Sequence, residues 1–397
     1  MREKSKKVKL MREEIENVDV MNPQIQNVKS VGVVSRSFKP MKTPLKFYLK
    51  ACVLAFCVIF VSCKPTENEE TGDDFNIWVL NEGVWSMGNG SITAYNTFTY
   101  EKEADMYGAA NNGRQLGDLP NDILLYGSKV YVVVSTANLI DVIDSKTGVS
   151  IKQIPVTTGS TASTPRQIAS HNGKVYVCCF DGSVVKIDTA SLLIEAVAKA
   201  GRNPDGICVA NNKLYVSNSG GLDYPNCDST ISVFDLGTFT EIKKIAVRIN
   251  PGQMKADKNG NIYLISNEIW DWGAYQKLSS SCLQRINSTT DQVEVLFDEI
   301  TGFDIYNDYL YFYIYDYVSA IYKIYDLLQN KVINTNFISG ATLQVPYGIN
   351  VNPKNGDVYL FDALDYTSTG DVYCFDKNGT KKFQFEAGIV PKKAVFK

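Results

Sequence analysis

Short alternating runs of apolar and polar residues, each closed by a turn, dominate the chain. From Asn203 to Val247 it reads NPDGICVANNKLYVSNSGGLDYPNCDSTISVFDLGTFTEIKKIAV. A Pro turn leads into an apolar run, and an Asn-Asn turn leads into KLYVS. A polar loop then precedes ISVFD, and a turn beginning at Asp235 leads into EIKKIAV. Alternation over four to six positions, bounded by Asn, Gly, Pro and Asp, predicts four short antiparallel strands in one up-and-down sheet.

The unit recurs. The aromatic of its second strand stands at Trp78, Tyr131, Tyr176, Tyr215, Tyr263, Tyr311 and Tyr359, at spacings of 53, 45, 39, 48, 48 and 48 residues. An Asx residue closes the third strand at Asn96, Asp144, Asp188, Asp235, Asn287, Asp326 and Asp376. A period of about 40 to 50 residues carrying four strands is that of a propeller blade. The fold expected is all-β, a seven-bladed β-propeller over residues 74–397. The first copy, DFNIWVLNEG, lacks a leading strand, whereas the C-terminal IVPKKAVFK resembles a leading strand with no blade after it. Pairing Lys393–Phe396 into the N-terminal blade would close the ring and remove two sheet edges.

Charge is divided unevenly. Residues 1–50 hold 12 of the 40 Lys and Arg but 5 of the 43 Asp and Glu, which leaves the rest of the chain with a net charge of about −10. A propeller of that sign repels phosphate backbones, so nucleic acid is not an expected partner.

Residues 1–40 show no apolar periodicity and read as an unstructured or mis-started extension. From Met41, a basic MKTPLKFYLK precedes 12 apolar or small residues and Cys63, so residues 41–62 read as a secretory signal. Phe60-Val61-Ser62-Cys63 resembles a bacterial lipobox, with Phe60 where Leu is usual, and this implies lipidation of Cys63. Residues 63–73 form a polar acidic tether. Such a stretch behind the lipidated Cys resembles the signal that sends lipoproteins of gut Bacteroidota to the outer surface. The expected location is therefore the outer membrane, lipid-anchored at the cell surface.

Of the nine cysteines, Cys178, Cys208 and Cys374 fall on apolar strands and read as small buried hydrophobes. Cys227 and Cys282 precede the third strands of adjacent blades, making them a candidate disulfide in an oxidising compartment. No Cys or His spacing suggests a metal site.

Loops joining strands one to two and three to four share one face of a propeller. Here they are short and uniform: HNGK, ANNK, KNGN, KNGD. On the other face the loops vary, from short turns to NEIWDWGAYQKLSSS. A uniform scaffold with one decorated face is how a fold carries a site. The candidate ligand-binding residues on that face are Trp85, Asn112, Arg114, Arg166, Asp205, Tyr224, Trp270, Trp272, Tyr275, Tyr317, Tyr347 and Tyr366. Aromatic and amide groups together suit a wide, partly apolar ligand or a protein partner. The same aromatics could equally pack the loops against one another. Catalysis is not expected: the single histidine, His171, falls on the uniform face, and no carboxylate pair or phosphate loop stands out.

HNGKVYVCCFDGSVVKIDTAS and ANNKLYVSNS…ISVFDLGT resemble the YVTN-repeat propellers of surface-layer and secreted proteins. Together with the lipobox and acidic tether, the chain resembles the surface propeller lipoproteins of Bacteroidota, among them the BtuG-type vitamin B12-capturing group. That resemblance implies a corrinoid (cobalamin) ligand, passed to a TonB-dependent outer-membrane transporter. It carries no site residues with it. The alternatives are a surface propeller for a protein or glycan partner, and an enzyme of the propeller lyase or quinoprotein sort.

Overall fold

In the computed structural model, the structure describes residues 74–158 and 161–397. The readings for residues 1–40, 41–62 and 63–73, Cys63 included, lie outside the described residues. Seven four-stranded antiparallel sheets follow one another. Blade 1 is Pro391–Phe396, Ile77–Asn81, Ser91–Tyr95 and Lys102–Glu103, so the C-terminal strand supplies its first strand. Blade 2 is Pro120–Tyr126, Lys129–Val134, Leu139–Asp144 and Ser150–Pro155, and blade 3 is Pro165–His171, Lys174–Cys179, Ser183–Asp188 and Ile194–Lys199. Blade 4 is Pro204–Ala210, Lys213–Asn218, Thr230–Asp235 and Thr240–Ala246, and blade 5 is Pro251–Ala256, Asn261–Ser266, Cys282–Asn287 and Val293–Asp298. Blade 6 is Gly302–Tyr306, Tyr309–Tyr315, Ala320–Asp326 and Lys331–Asn334, and blade 7 is Pro346–Val351, Val358–Asp362, Thr369–Phe375 and Lys381–Ile389.

The ring closes as the chain ends imply. Ile77 pairs with Phe396, Trp78 with Val395 and Val79 with Ala394. First strands of neighbouring blades lie against one another around the axis. They approach closely: a Cβ on Gly206 would lie 2.0 Å from the Gly252 carbonyl oxygen, and one on Gly348 would lie 2.3 Å from that of Lys392. No side chain fits at either point.

Both repeated markers have a physical reason. Every second-strand aromatic is buried, and each packs into a cluster shared with the next blade. Trp78 packs with Ile123 and Val132 of blade 2, Tyr215 with Met254 and Ile262 of blade 5, and Tyr359 with Ala394 of blade 1. The seam between blades is thus the hydrophobic core, and a large flat side chain fills it once per repeat. The Asx marker ties the turn into the fourth strand. Its carboxyl or amide oxygen accepts backbone N–H groups of the following turn, two and three residues on in Asp144 with Lys146 (3.1 Å) and Thr147 (2.9 Å) and in Asn287 with Thr289 (2.9 Å) and Thr290 (3.0 Å), and two and four on in Asp376 with Asn378 and Thr380. These bonds favour the ionised carboxylate, and they hold the pKa values of Asp144, Asp235 and Asp376 below the usual range.

Some local elements lie outside the four-strand pattern. A short helix α1, Met106–Ala110, lies in the link from blade 1 to blade 2. It is capped by Asp105, whose Oδ1 accepts the Gly108 N–H at 3.1 Å, and it buries Met106 and Tyr107. In blade 5 a two-stranded hairpin, Ile269–Asp271 with Gln276–Ser279, stands on the loop between strands two and three.

The candidate Cys227–Cys282 disulfide is corrected: both are buried free thiols. Cys282 is locked in the blade 5 ladder, opposite Ser266 and Asp298. Cys227 belongs to the blade 4 loop, where the next residue, Asp228, is tied to the Ser219 carbonyl at 2.8 Å. Desolvation raises the pKa of each thiol.

Candidate functional site

Six of the seven first strands open with proline, and the residue after it forms the mouth of the axial channel on the loop-rich face: Asn121, Arg166, Asp205, Gly252, Tyr347 and Lys392. Proline fixes φ where the linking loop turns inward, so the next side chain is set repeatedly at the same level. These groups bond across blades. Arg166 Nε donates to Asp205 Oδ1 at 2.8 Å, and its guanidinium stacks over Phe180 at 4.3 Å. Lys392 reaches Asn121 Oδ1 at 3.3 Å and Glu82 Oε1 at 3.4 Å, and the Tyr347 hydroxyl donates to Glu82 Oε2 at 2.7 Å. Desolvation alone would lower the Arg166 pKa, but Asp205 outweighs it and the net shift is upward. Tyr347 is pushed well above its ordinary value, by burial first and then by Glu82. The mouth is a set of paired, water-poor polar groups with their partners fixed in advance.

An aromatic arc borders the mouth. The Tyr224 hydroxyl accepts the Trp270 N–H at 2.5 Å and donates to the Trp270 carbonyl at 3.0 Å. Trp270 stacks on Trp272 with centroids 5.7 Å apart, and Lys277 Nζ sits 5.2 Å above the Trp270 ring. Glu268 gathers the next blade: Tyr317 donates to it at 2.7 Å and Lys277 pairs with it at 2.9 Å. Burial would raise the Glu268 pKa, yet Lys277, Tyr317 and Trp270 together hold it below the usual range. Tyr315 packs on Tyr317 and donates to the Gln344 carbonyl at 3.0 Å, and Tyr347 meets Tyr366 edge-on at 5.7 Å. The arc therefore runs through blades 4, 5, 6 and 7 to Glu82 of blade 1. Trp272 remains 49% exposed within it, so the arc has a face open to a ligand.

Of the sequence-derived residues, Arg166, Asp205, Tyr224, Trp270, Trp272, Tyr317, Tyr347 and Tyr366 fall into this connected assembly. Tyr275 stands at the hairpin tip, and Trp85 lies 72% exposed on the blade 1 loop. Neither joins the arc by a ring contact. Asn112 and Arg114 lie apart from the arc, in the link from blade 1 to blade 2. They follow α1, whose C-cap Asn111 binds the Gly148 carbonyl and the Ser150 N–H at the turn between strands three and four of blade 2. That turn belongs to the uniform face, whereas Arg114 stacks over Tyr107 at 5.4 Å and its neighbour Gln115 faces Gly88 in the blade 1 loop. Helix α1, which the strand periodicity does not predict, carries this link back down before it rises to blade 2.

Glu82, Lys392, Asn121 and Glu268 were missed by sequence reasoning. The signal for two of them was present, as the residue after the proline in LPND and VPKK. Glu82 and Glu268 carry no comparable mark. Among the described residues no group of three or more His, Cys, Asp or Glu side chains could hold a metal ion.

The architecture is that of a seven-bladed β-propeller with a polar mouth and an aromatic arc on one face. The chain belongs to the DUF5074 family, described as a domain of unknown function, whose model matches residues 76–397. No curated protein matches it. Among solved structures it is similar to a quinonprotein alcohol dehydrogenase-like protein of Bacteroides thetaiotaomicron, at 16% identity and TM-score 0.58, covering 81% of this chain and 78% of that one. It is also similar to the hydrazine synthase of Kuenenia stuttgartiensis, at 16% identity and TM-score 0.53, over 65% and 77% of the two chains. A third is Citrobacter koseri AztD, at 10% identity and TM-score 0.52, over 80% and 96%. At these identities the likeness is one of fold.

Proposed function

We propose that the protein is a non-enzymatic capture protein that holds a wide, amide-rich small ligand, with a corrinoid foremost, on the loop-rich face. The observation that carries the reading is the junction at Glu82, where Tyr347 and Lys392 bring the end of the aromatic arc onto the paired polar mouth. A corrin ring presents apolar edges and a fringe of amides. Stacked Trp270 and Trp272 suit the first, and Asn121, Arg166, Asp205 and Glu82 offer donors and acceptors to the second. The resemblance of the signal and tether to those of Bacteroidota lipoproteins supports attachment through Cys63 at the outer-membrane surface, with a TonB-dependent transporter as recipient.

A protein partner on the same face is the second reading. It is favoured by the apolar loop tips Trp85, Met87 and Leu222, all largely exposed. Calorimetric titration of cyanocobalamin into the purified protein separates the two. Saturable heat with a 1:1 end point supports capture, and no heat at micromolar protein overturns the corrinoid reading.

A further inference from the structure

The loop-rich face is uneven in height. Blades 4 and 5 carry long loops between strands two and three, whereas blade 3 turns in that place through Phe180, Asp181 and Gly182 alone. The step leaves a notch of about 360 Å³ between blades 3 and 4, lined by Phe180, Asp181, Arg202, Asn203, Leu222 and Asp223. That volume lies in the range of small-molecule sites, about 300–1,000 Å³.

The notch is built into the mouth. Phe180 lies beneath the Arg166 guanidinium. One loop separates notch from arc: Leu222 and Asp223 line the notch, while Tyr224, next in sequence, reaches across to Trp270. Arg202 fixes that loop, through Asp223 Oδ2 at 3.0 Å and the Asn226 carbonyl at 3.2 Å. A ligand spread on the arc can therefore send an appendage over this single wall.

The lining chemistry selects the appendage. Phe180 and the 73% exposed Leu222 give an apolar patch. Asp181 and Asp223 offer carboxylate acceptors beside the Arg202 donors. Asp223, Asp228 and Asp181 outnumber Arg202 and Lys199 among the charges there, which disfavours an anion. An apolar patch flanked by both acceptors and donors fits a sugar ring, whose C–H face is apolar and whose hydroxyls both give and take hydrogen bonds. We infer that the notch between blades 3 and 4 is a second subsite that takes a sugar ring. In the corrinoid case, resting on the reading above, this is the ribose of the nucleotide appendage; in the other case it is a unit of a free glycan.

The test compares cyanocobalamin with cobinamide, which lacks the whole nucleotide (phosphate, ribose and base), on the wild type and on a Leu222→Ala, Asp223→Asn double variant. Asn keeps an acceptor for Arg202, so the wall stays in place. The inference predicts cyanocobalamin affinity falling about tenfold in the variant, with cobinamide unchanged. Equal loss for both, or no loss for either, overturns it. If neither corrinoid binds the wild type, the corrinoid reading fails by itself, and an array of plant and mucin oligosaccharides decides the notch. Binding that the double variant loses supports a sugar subsite, and no oligosaccharide binding overturns it.

Discussion

Tyr224 of blade 4 grips Trp270 of blade 5 by its backbone, accepting its N–H and donating to its carbonyl through one hydroxyl. The indole itself is left to stack on Trp272, so the bond orients the pair without covering it. Tyr224→Phe removes both hydrogen bonds while keeping the ring. The expected cost is about 1 kcal/mol of stability, with a larger proportional loss of ligand affinity because the hairpin loses its orientation. Urea denaturation and calorimetry on the same variant check the two parts. An unchanged affinity would place the ligand away from the hairpin.

At the mouth, Arg166→Ala leaves the Asp205 carboxylate without its ion-pair partner and uncovers Phe180. Both groups are partly buried, so the expected destabilisation is about 1–2 kcal/mol. Arg166→Lys should recover only part of it, since a lysine ammonium cannot stack as a planar guanidinium does. Thermal unfolding of the three proteins gives the order wild type, Lys, Ala. Equal melting temperatures for the Lys variant and the wild type would show that the stacking contributes nothing.

The ring's closure depends on the last strand. Deleting Pro391–Lys397 removes the partner of Ile77–Asn81, exposes the edge of blade 1 and strips Val395 from the cluster around Trp78. The shortened protein is expected to lose cooperative unfolding or to aggregate. Retention of a single sharp transition at the wild-type temperature would contradict closure by this strand.

Acid should weaken the aromatic loops. Asp365, next to Tyr366, accepts the N–H groups of Ser368 (2.6 Å) and Thr367 (2.9 Å), and these bonds lower its pKa to about 2. A carboxylate depressed in the folded state stabilises fully above its unfolded pKa of about 4, and that contribution is lost as pH falls through about 2. Glu268 has the same sign, its lowered pKa arising where Lys277, Tyr317 and Trp270 outweigh desolvation. Urea midpoints followed from pH 5 to 2 should fall less steeply in Asp365→Asn than in the wild type. Parallel curves would show that Asp365 is not held as the geometry implies.

The thiols give a chemical check. Burial raises the pKa values of Cys179, Cys208 and Cys374 to about 12, and Cys227 and Cys282 are free. Native protein should resist iodoacetamide, and unfolding without reductant should expose both Cys227 and Cys282 to it. A mass-spectrometric cross-link between those two peptides would contradict the free-thiol state.

The fold was legible because its two markers are each imposed by one local requirement. A seam between blades needs one large flat side chain, which fixes Tyr131, Tyr263 and their equivalents, and a tight turn needs one Asx oxygen, which fixes Asp144 and its equivalents. The site was legible only in part. Loop position found Arg166, Asp205 and the arc, because the face follows from strand order. It did not foresee α1, whose C-cap Asn111, next to Asn112, is tied to the blade 2 turn of the uniform face. Glu82 carries no local mark, and its pairing with Lys392, 310 residues away, depends on side-chain geometry that ring closure alone does not specify.

The most direct measurement is the calorimetric titration of cyanocobalamin repeated on a Trp270→Ala, Trp272→Ala double variant. Saturable binding to the wild type is expected, weakened at least tenfold when the stacked pair is removed. Binding of equal affinity to both proteins, or no binding to the wild type, would contradict it.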